Sequence, residues 1–343
     1  MILNNIDIKT VLKNPNLKSK FYSGTNNNLE IDCNILSDNF YLDPYNYFPI
    51  TQDYHTFFEI FNWGDKLKYD VFGSDDFINN FSKKIKSFKT LSNIYVLGSS
   101  SADNYYRNMI TFLPRIFFAK DNEINLAIHR NSSNKFRNFI INMCNQMKIK
   151  IKFIFLDDKF YKFIDSQMPQ FLNKNDSFNI LNNLRKKNAI KYEKIYISRY
   201  NANYRNLINE SDVINKLKNI GFRVVDLNNL EIDEQIELFS NAKVIVSPTG
   251  SALTNVVFCN LGTKVYEISP QYQYEYEDRF KKRYQDICKA LKLEYVRIEA
   301  DSVLPSKIDN KITNQLSYKA LQTSNYYKDL IVKLEKIDEL VNT

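Results

Sequence analysis

A chain of 343 residues is long enough for two domains, and its 44% hydrophobic and 25% charged content is that of a globular protein. Its net charge of +8 favours anionic partners such as nucleotide phosphates, acidic glycans or an anionic membrane surface, but no dense Lys/Arg block accompanies it, so nucleic acid is not expected as a partner. Two His and four widely spaced Cys, with no C-x-x-C pair, argue against a structural zinc site.

The cysteines (Cys33, Cys144, Cys259, Cys288) suit a reducing compartment, where thiols stay unpaired. The opening residues lack a basic segment followed by an apolar core, so no secretory signal is expected. No apolar run reaches the ~18 residues of a membrane span. The expected location is therefore the cytoplasm, with room for peripheral attachment at the inner face of the membrane.

Residues 1–90 read as an irregular, aromatic lead-in with turns at Asn26–Asn28 and Asp75–Asp76 and the only Trp, Trp63. From Asn93 a β/α alternation begins. Ile94–Leu97 reads as a strand, followed by a polar turn through Gly98 and Asp103 that caps a helix over Asn104–Phe118, interrupted at Pro114. Ile124–Ile128 is a strand. Phe136, Phe139, Ile140, Met143, Cys144 and Met147 keep helical spacing, and Ile149–Leu156 is a third strand. Asp157–Ile190 is polar and weakly periodic, as an inter-domain segment would be.

The alternation resumes with strands at Ile195–Ser198, Phe222–Val225, Val244–Val246, Lys264–Ile268 and Tyr295–Ile298. Helices are predicted over Glu210–Ile220, Asp233–Ser240, Ala252–Phe258 and Tyr276–Leu291. The sheet should be mainly parallel. A last helix places Leu330, Leu334, Ile337 and Val341 on one stripe. The fold class expected is α/β: two Rossmann-like domains facing a central cleft, with a C-terminal helix. The domains expected are 1–160, a joining segment 161–190, and 191–343.

Three constellations can carry chemistry. The first follows a strand: Ser198-Arg199, with Arg205, Asn209 and Glu210. Two arginines at a strand end suit bidentate grip of phosphate, although a solvated loop capped by Asn209 accounts for the same residues. The second is the turn at Gly250, where a strand passes into a helix. Thr249, Ser251 and Thr254 supply hydroxyls, the amides of Gly250, Ser251 and Ala252 supply donors, and the helix start favours an anion. Glu267, ending the next strand, can accept from a ribose diol or stand as a surface carboxylate. The third is Asp103 through Arg115, where Tyr105, Tyr106, Arg107 and Arg115 line a cleft or form an aromatic core face.

In order, Ser198-Arg199, Arg205, Asn209-Glu210, Phe239-Ser240-Asn241-Ala242, Ser247 through Asn255 and Gly262 through Glu267 resemble the signature of glycosyltransferase family 61. Tyr105-Tyr106 and Leu113-Pro114-Arg115 resemble that family's N-Y-Y-H-W-x-x-D-x-L-P-R segment. The resemblance covers about residues 94–298 and is strongest in the C-terminal half. Among the departures from the pattern, Thr249 and Arg107 each stand where the family has His, and Thr111 where it has Asp.

The resemblance implies an inverting, metal-independent enzyme of the GT-B type. It would move a sugar from a nucleotide-sugar donor, with UDP favoured, to a glycan or glycolipid acceptor of capsule or lipopolysaccharide type. No cofactor or metal is implied. Arg199, Arg205, Thr249, Gly250, Ser251, Ala252 and Glu267 would bind the donor. Asp103, substituting for the missing base, and Arg107 would act on the acceptor side, with Tyr106 and Arg115 beside them. A sugar-nucleotide epimerase and a non-catalytic nucleotide- or glycan-binding relative remain alternatives, and the oligomeric state is undetermined.

Overall fold

The computed structural model describes residues 4–5, 15–18, 20–26, 29–44, 47–57, 61, 83, 87–186, 193–200, 202, 205–304 and 325–338. Trp63, the Asp75–Asp76 turn, Asn27–Asn28 and Val341 lie outside the described residues. The architecture is mixed α/β. Two compact units divide the chain, Met1–Ser177 and Phe178–Thr343.

Among the described residues of the first unit, ten strands form one sheet. They are β1 (Asn4–Asn5), β2 (Phe21–Asn26), β3 (Ile31–Leu42), β4 (Ile50–Thr51), β5 (His55–Thr56), β6 (Phe88–Ser92), β7 (Ile94–Val96), β8 (Glu123–His129), β9 (Lys150–Leu156) and β10 (Phe160–Pro169). Parallel pairing runs in the order β9-β8-β7-β10, and β3 pairs antiparallel with β10.

Two expectations fail here. Residues 31–56 are no irregular lead-in, because Ile31, Cys33, Ile35, Phe40 and Leu42 are buried along β3 and Phe40 stacks on Phe163 at 5.3 Å. Within the segment expected to join the domains, 161–190, β10 is a sheet strand. Its polar residues mark a corner: β6 and β10 turn together at Asn93 and Asp165, which have φ of +57° and +46°.

The Asn134–Gln146 helix buries Phe136, Phe139, Ile140, Met143 and Cys144, the face its spacing predicts, and Ser133 caps it. The helix expected over Asn104–Phe118 is instead three short pieces: α-helical Tyr105–Arg107, a π-turn at Asn108–Phe112 and a 3₁₀ run at Leu113–Phe118. Pro114 is the cause. It has no N–H, and its ring would strike the carbonyl one turn back, so the α-ladder cannot continue.

The second unit holds β11 (Lys194–Ile197), β12 (Arg223–Val225), β13 (Val244–Pro248), β14 (Lys264–Pro270), β15 (Glu294–Val303) and β16 (Asp329–Ile331), in the order β12-β11-β13-β14-β15-β16. All pairs are parallel except the last. The Glu210–Asn219 helix places Val213 and Leu217 against Tyr196, Val246, Tyr266 and Ile298 on one face of the sheet. The Ile232–Asn241 and Arg283–Ala290 helices both pack on the segment Ser251–Phe258.

The helix expected over Ala252–Phe258 is a 3₁₀ run, Ser251–Phe258. It carries β-branched Thr254, Val256 and Val257, which crowd an α-turn. The terminal stripe is divided: Leu330 lies in β16, and among the described residues the helical part is Leu334–Asp338. All four cysteines are free and buried, two in each unit.

Candidate active site

In the second unit the strand order reverses between β11 and β13. In an open parallel sheet, the crevice at such a reversal, beyond the carboxyl ends of the strands, is where ligands bind. Arg199 follows β11 and Gly250 follows β13, so the topology brings the two expected donor-binding elements to one place. Their contact is close. A Cβ built on Gly250 would stand 1.8 Å from Arg199 Nη1 and 2.6 Å from Cζ. The backbone at Gly250 is extended, with φ 175°, so glycine is needed here for space rather than for an unusual dihedral.

Arg199 is itself held from behind. The carboxylate of Glu210 accepts the Arg199 backbone N–H at 3.1 Å and the Tyr196 hydroxyl at 2.8 Å. Asn209, expected as a helix cap, makes no side-chain cap bond. Its amide donates to Val332 O at 2.8 Å and accepts Val332 N–H at 3.2 Å, which pairs it with the C-terminal segment.

Glu267 lies in β14, opposite Ser247 on one side and Arg297 on the other. It is 1% exposed, so the surface-carboxylate reading is wrong. Burial pushes its carboxyl above the usual range, while the hydroxyls of Thr249 and Tyr295 and the positive charges of Arg297 and Arg205 pull it back. Tyr295 donates to Oε2 at 2.5 Å, and Arg297 Nη2 donates to the Tyr295 oxygen at 3.0 Å.

Oε1 of Glu267 makes no hydrogen bond among the described residues, and neither do the buried hydroxyls of Thr254 and Ser269. Buried polar atoms are normally paired, and these three stand out for having no partner among the described residues. Arg205 is buried in this neighbourhood with φ +61°, a conformation that few non-glycine residues adopt. Thr249 is buried, while Ser251 and Ala252 are half-buried at the outer lip of the turn. Of the residues expected to bind the donor, all seven therefore fall at this strand-end edge or face Glu267. Tyr295 and Arg297 were missed; their only sequence signal is the alternation that points both to the face of Glu267.

The first unit disposes of its expected residues differently. Asp103, with φ +47°, accepts Asn108 Nδ2–H and Ser133 N–H, both at 3.0 Å and both on Oδ1. Arg107 is exposed, and Tyr106 is buried rather than lining a surface. Arg115 is not an acceptor contact. It is fully buried and donates to the carbonyls of Leu97, Pro169 and Gln170, with the Phe171 ring 4.1 Å from its guanidinium carbon. Burial lowers its pKa to about 10, against the opposing influence of Tyr95, Cys33 and Tyr47.

Fold and site together define an α/β protein in which Arg199 lies against Gly250 at the strand-order reversal of a largely parallel sheet. The family model of Glycosyltransferase 61 matches residues 77–266, more than half of the chain, and the chain belongs to that family. It is accordingly an enzyme that transfers a sugar from a donor to an acceptor. Among curated proteins, none matches the chain. Among the described residues no three His, Cys, Asp or Glu side chains gather as a metal site would require, and no helix is long and apolar enough to cross a membrane.

Proposed function

We propose that the protein is an inverting, metal-independent glycosyltransferase of the GT-B type. It takes its sugar from a nucleotide-sugar donor, a UDP-sugar first among them, and passes it to a glycan or glycolipid of capsule or lipopolysaccharide type at the cytoplasmic face of the membrane. The observation that carries the reading is Arg199 lying over Gly250 at the β11–β13 reversal. A diphosphate there meets the Arg199 and Arg205 cations and the Gly250–Ala252 amides, which supply the positive charge that a departing nucleoside diphosphate requires. Thr249 and Glu267 turn hydroxyl-binding groups toward the same place. Asp103 and Arg107 are assigned to the acceptor.

Titration calorimetry with UDP, CDP and GDP, followed by incubation with UDP-sugars with and without acceptor, tests this. The expected result is UDP binding and sugar transfer with inverted anomeric configuration. Conversion of the sugar in the absence of acceptor would replace the reading with an epimerase, and binding without turnover would replace it with a non-catalytic relative.

A further inference from the structure

The first unit's sheet ends in a strand that is complementary to itself. Among the described residues β9 has a neighbour on one side alone: it closes the strand order and pairs with β8. Lys150 N–H donates to Asn122 O, and Leu156 O accepts from Arg130 N–H. The main-chain groups of Lys150, Lys152, Ile154 and Leu156 therefore turn toward β8. By the alternation of a strand, those of Ile151, Phe153 and Phe155 turn outward to the open edge.

The same three residues carry an apolar row on one face. Phe153 and Phe155 stack at 5.9 Å, and the Arg137 guanidinium carbon, on the Asn134–Gln146 helix, lies 4.5 Å from the Phe155 ring. Phe155 is 47% exposed, and Ile141, one turn along the helix from Arg137, is 39% exposed. Between helix and strand lies a groove of about 560 Å³, lined in part by Ile141, Ile149, Ile151 and Phe153.

Lysines in an edge strand usually guard it against pairing. In β9 they guard against some registers and permit one. A two-fold axis that joins β9 antiparallel to a second β9, with both helices on the same side of the sheet, passes through a single residue. Centred on Lys152, it sets the two Lys152 side chains opposite each other, a destabilising pair. Centred on Ile154, it sets Ile151 against Asp157, whose N–H is already given to the Tyr161 hydroxyl at 3.0 Å. Centred on Phe153, it pairs Phe153 with Phe153 and Ile151 with Phe155, while Lys150 and Lys152 meet Leu156 and Ile154. Every outward N–H and C=O of the three residues then finds a partner, and the apolar row continues from one copy into the other. Beyond the strand ends, Lys148 of each copy comes opposite Asp158 of the other. Asp158 is 61% exposed at its side chain and is held at its own strand end by His129 Nε2 at 3.0 Å.

We propose that β9 is a homodimer interface: two copies of this chain join their sheets antiparallel through β9, on a two-fold axis at Phe153. The Asn134–Gln146 helices of the two copies flank that axis on one side. The dimer is independent of the sugar-transfer reading, and testing it needs no substrate.

Sedimentation of the full chain over a wide range of concentration should show a monomer–dimer equilibrium. Phe153→Lys and Phe153→Glu, each placing like charges on the axis, should each weaken association at least roughly tenfold. An equimolar mixture of the two should recover it, because opposite charges then meet. Phe153→Cys should cross-link under mild oxidation, since directly opposite residues of a hydrogen-bonded pair have Cα atoms about 5.5 Å apart, within disulfide reach. Ile154→Cys should not, because its counterpart is displaced by two residues, on the order of 7 Å along the strand. The native cysteines are buried and do not compete.

A wild-type chain that stays monomeric throughout overturns the proposal. So does a dimer indifferent to Phe153→Lys and Phe153→Glu, or cross-linking of Ile154→Cys as fast as that of Phe153→Cys. A monomer that binds phosphatidylglycerol vesicles, and loses them on Phe153→Glu, would make this edge a membrane contact instead. Circular dichroism separates lost association from lost fold. Should both charged variants fail to fold, sedimentation of the wild type and the two cysteine variants decide the matter.

Discussion

Each unit has a run of parallel strands whose order turns back on itself, and an arginine stands at each turning point, but the two places differ in kind. Beside β7 and β10, Arg115 is spent on the carbonyls of Leu97, Pro169 and Gln170 and is sealed under Phe171. Beside β11 and β13, Arg199 lies over a glycine, and elsewhere in the same unit Glu267 Oε1, Thr254 Oγ1 and Ser269 Oγ are buried without hydrogen bonds among the described residues. The first crevice is filled by the protein's own side chain. The second belongs to a unit that keeps buried polar atoms without hydrogen bonds among the described residues. Topology alone names two candidate ligand sites, and hydrogen-bond satisfaction chooses between them.

The strongest test of this contrast is Arg115→Met. Each hydrogen bond from a buried cation contributes about 1.5–3 kcal/mol, and three carbonyls would lose theirs, so a loss of at least ~3 kcal/mol is expected in thermal or urea unfolding. UDP affinity of the folded protein should not change. Loss of UDP binding without loss of stability would make the first crevice a nucleotide site and erase the distinction.

Next come Arg199→Ala and Gly250→Val. Each should weaken UDP binding at least roughly tenfold, about 1.4 kcal/mol, with the fold intact by circular dichroism. The valine acts by displacing the guanidinium that now fills the place of its Cβ. Unchanged affinity in both variants would remove the second crevice from the donor site.

A smaller effect sharpens the electrostatic side. Burial raises the Glu267 carboxyl above its unfolded value, so its contribution to stability is fully present below the unfolded pKa of about 4.3 and is lost as pH rises through the raised value. Glu267→Gln should therefore raise Tm more at pH 8 than at pH 5. The same Tm difference at both pH values would mean that the carboxylate is not held in a desolvated place. The smallest expected effect is none at all: EDTA should leave UDP affinity unchanged if Arg199 and Arg205 carry the diphosphate, whereas loss of binding with rescue by Mg²⁺ or Mn²⁺ would assign that task to a metal.

The second crevice was largely legible in the sequence, and the first was not. Buried parallel strands appear as apolar runs such as Val244–Val246 and Val265–Ile268, and Gly250 and Gly262 punctuate them, so local pattern suffices. The meaning of Arg115 depends on carbonyls more than 50 residues away, at Pro169 and Gln170, and no local spacing encodes that. The same holds for β3, whose alternation became a strand assignment only through its pairing with β10. His129 and Asp158 stand 29 positions apart and meet because β8 and β9 end side by side. Glu267 was placed correctly along the chain, but its burial follows from the helices packed over that face and not from its neighbours in sequence.

The cysteines have a practical consequence. Burial pushes the thiols of Cys33, Cys144 and Cys288 up to about 12 and raises that of Cys259 well above its ordinary value, so the folded chain offers almost no thiolate to an alkylating reagent. Two of these silent groups sit in each unit. Maleimide uptake, resolved peptide by peptide, would therefore time the opening of each unit separately, with no cysteine added and no residue of the crevice altered.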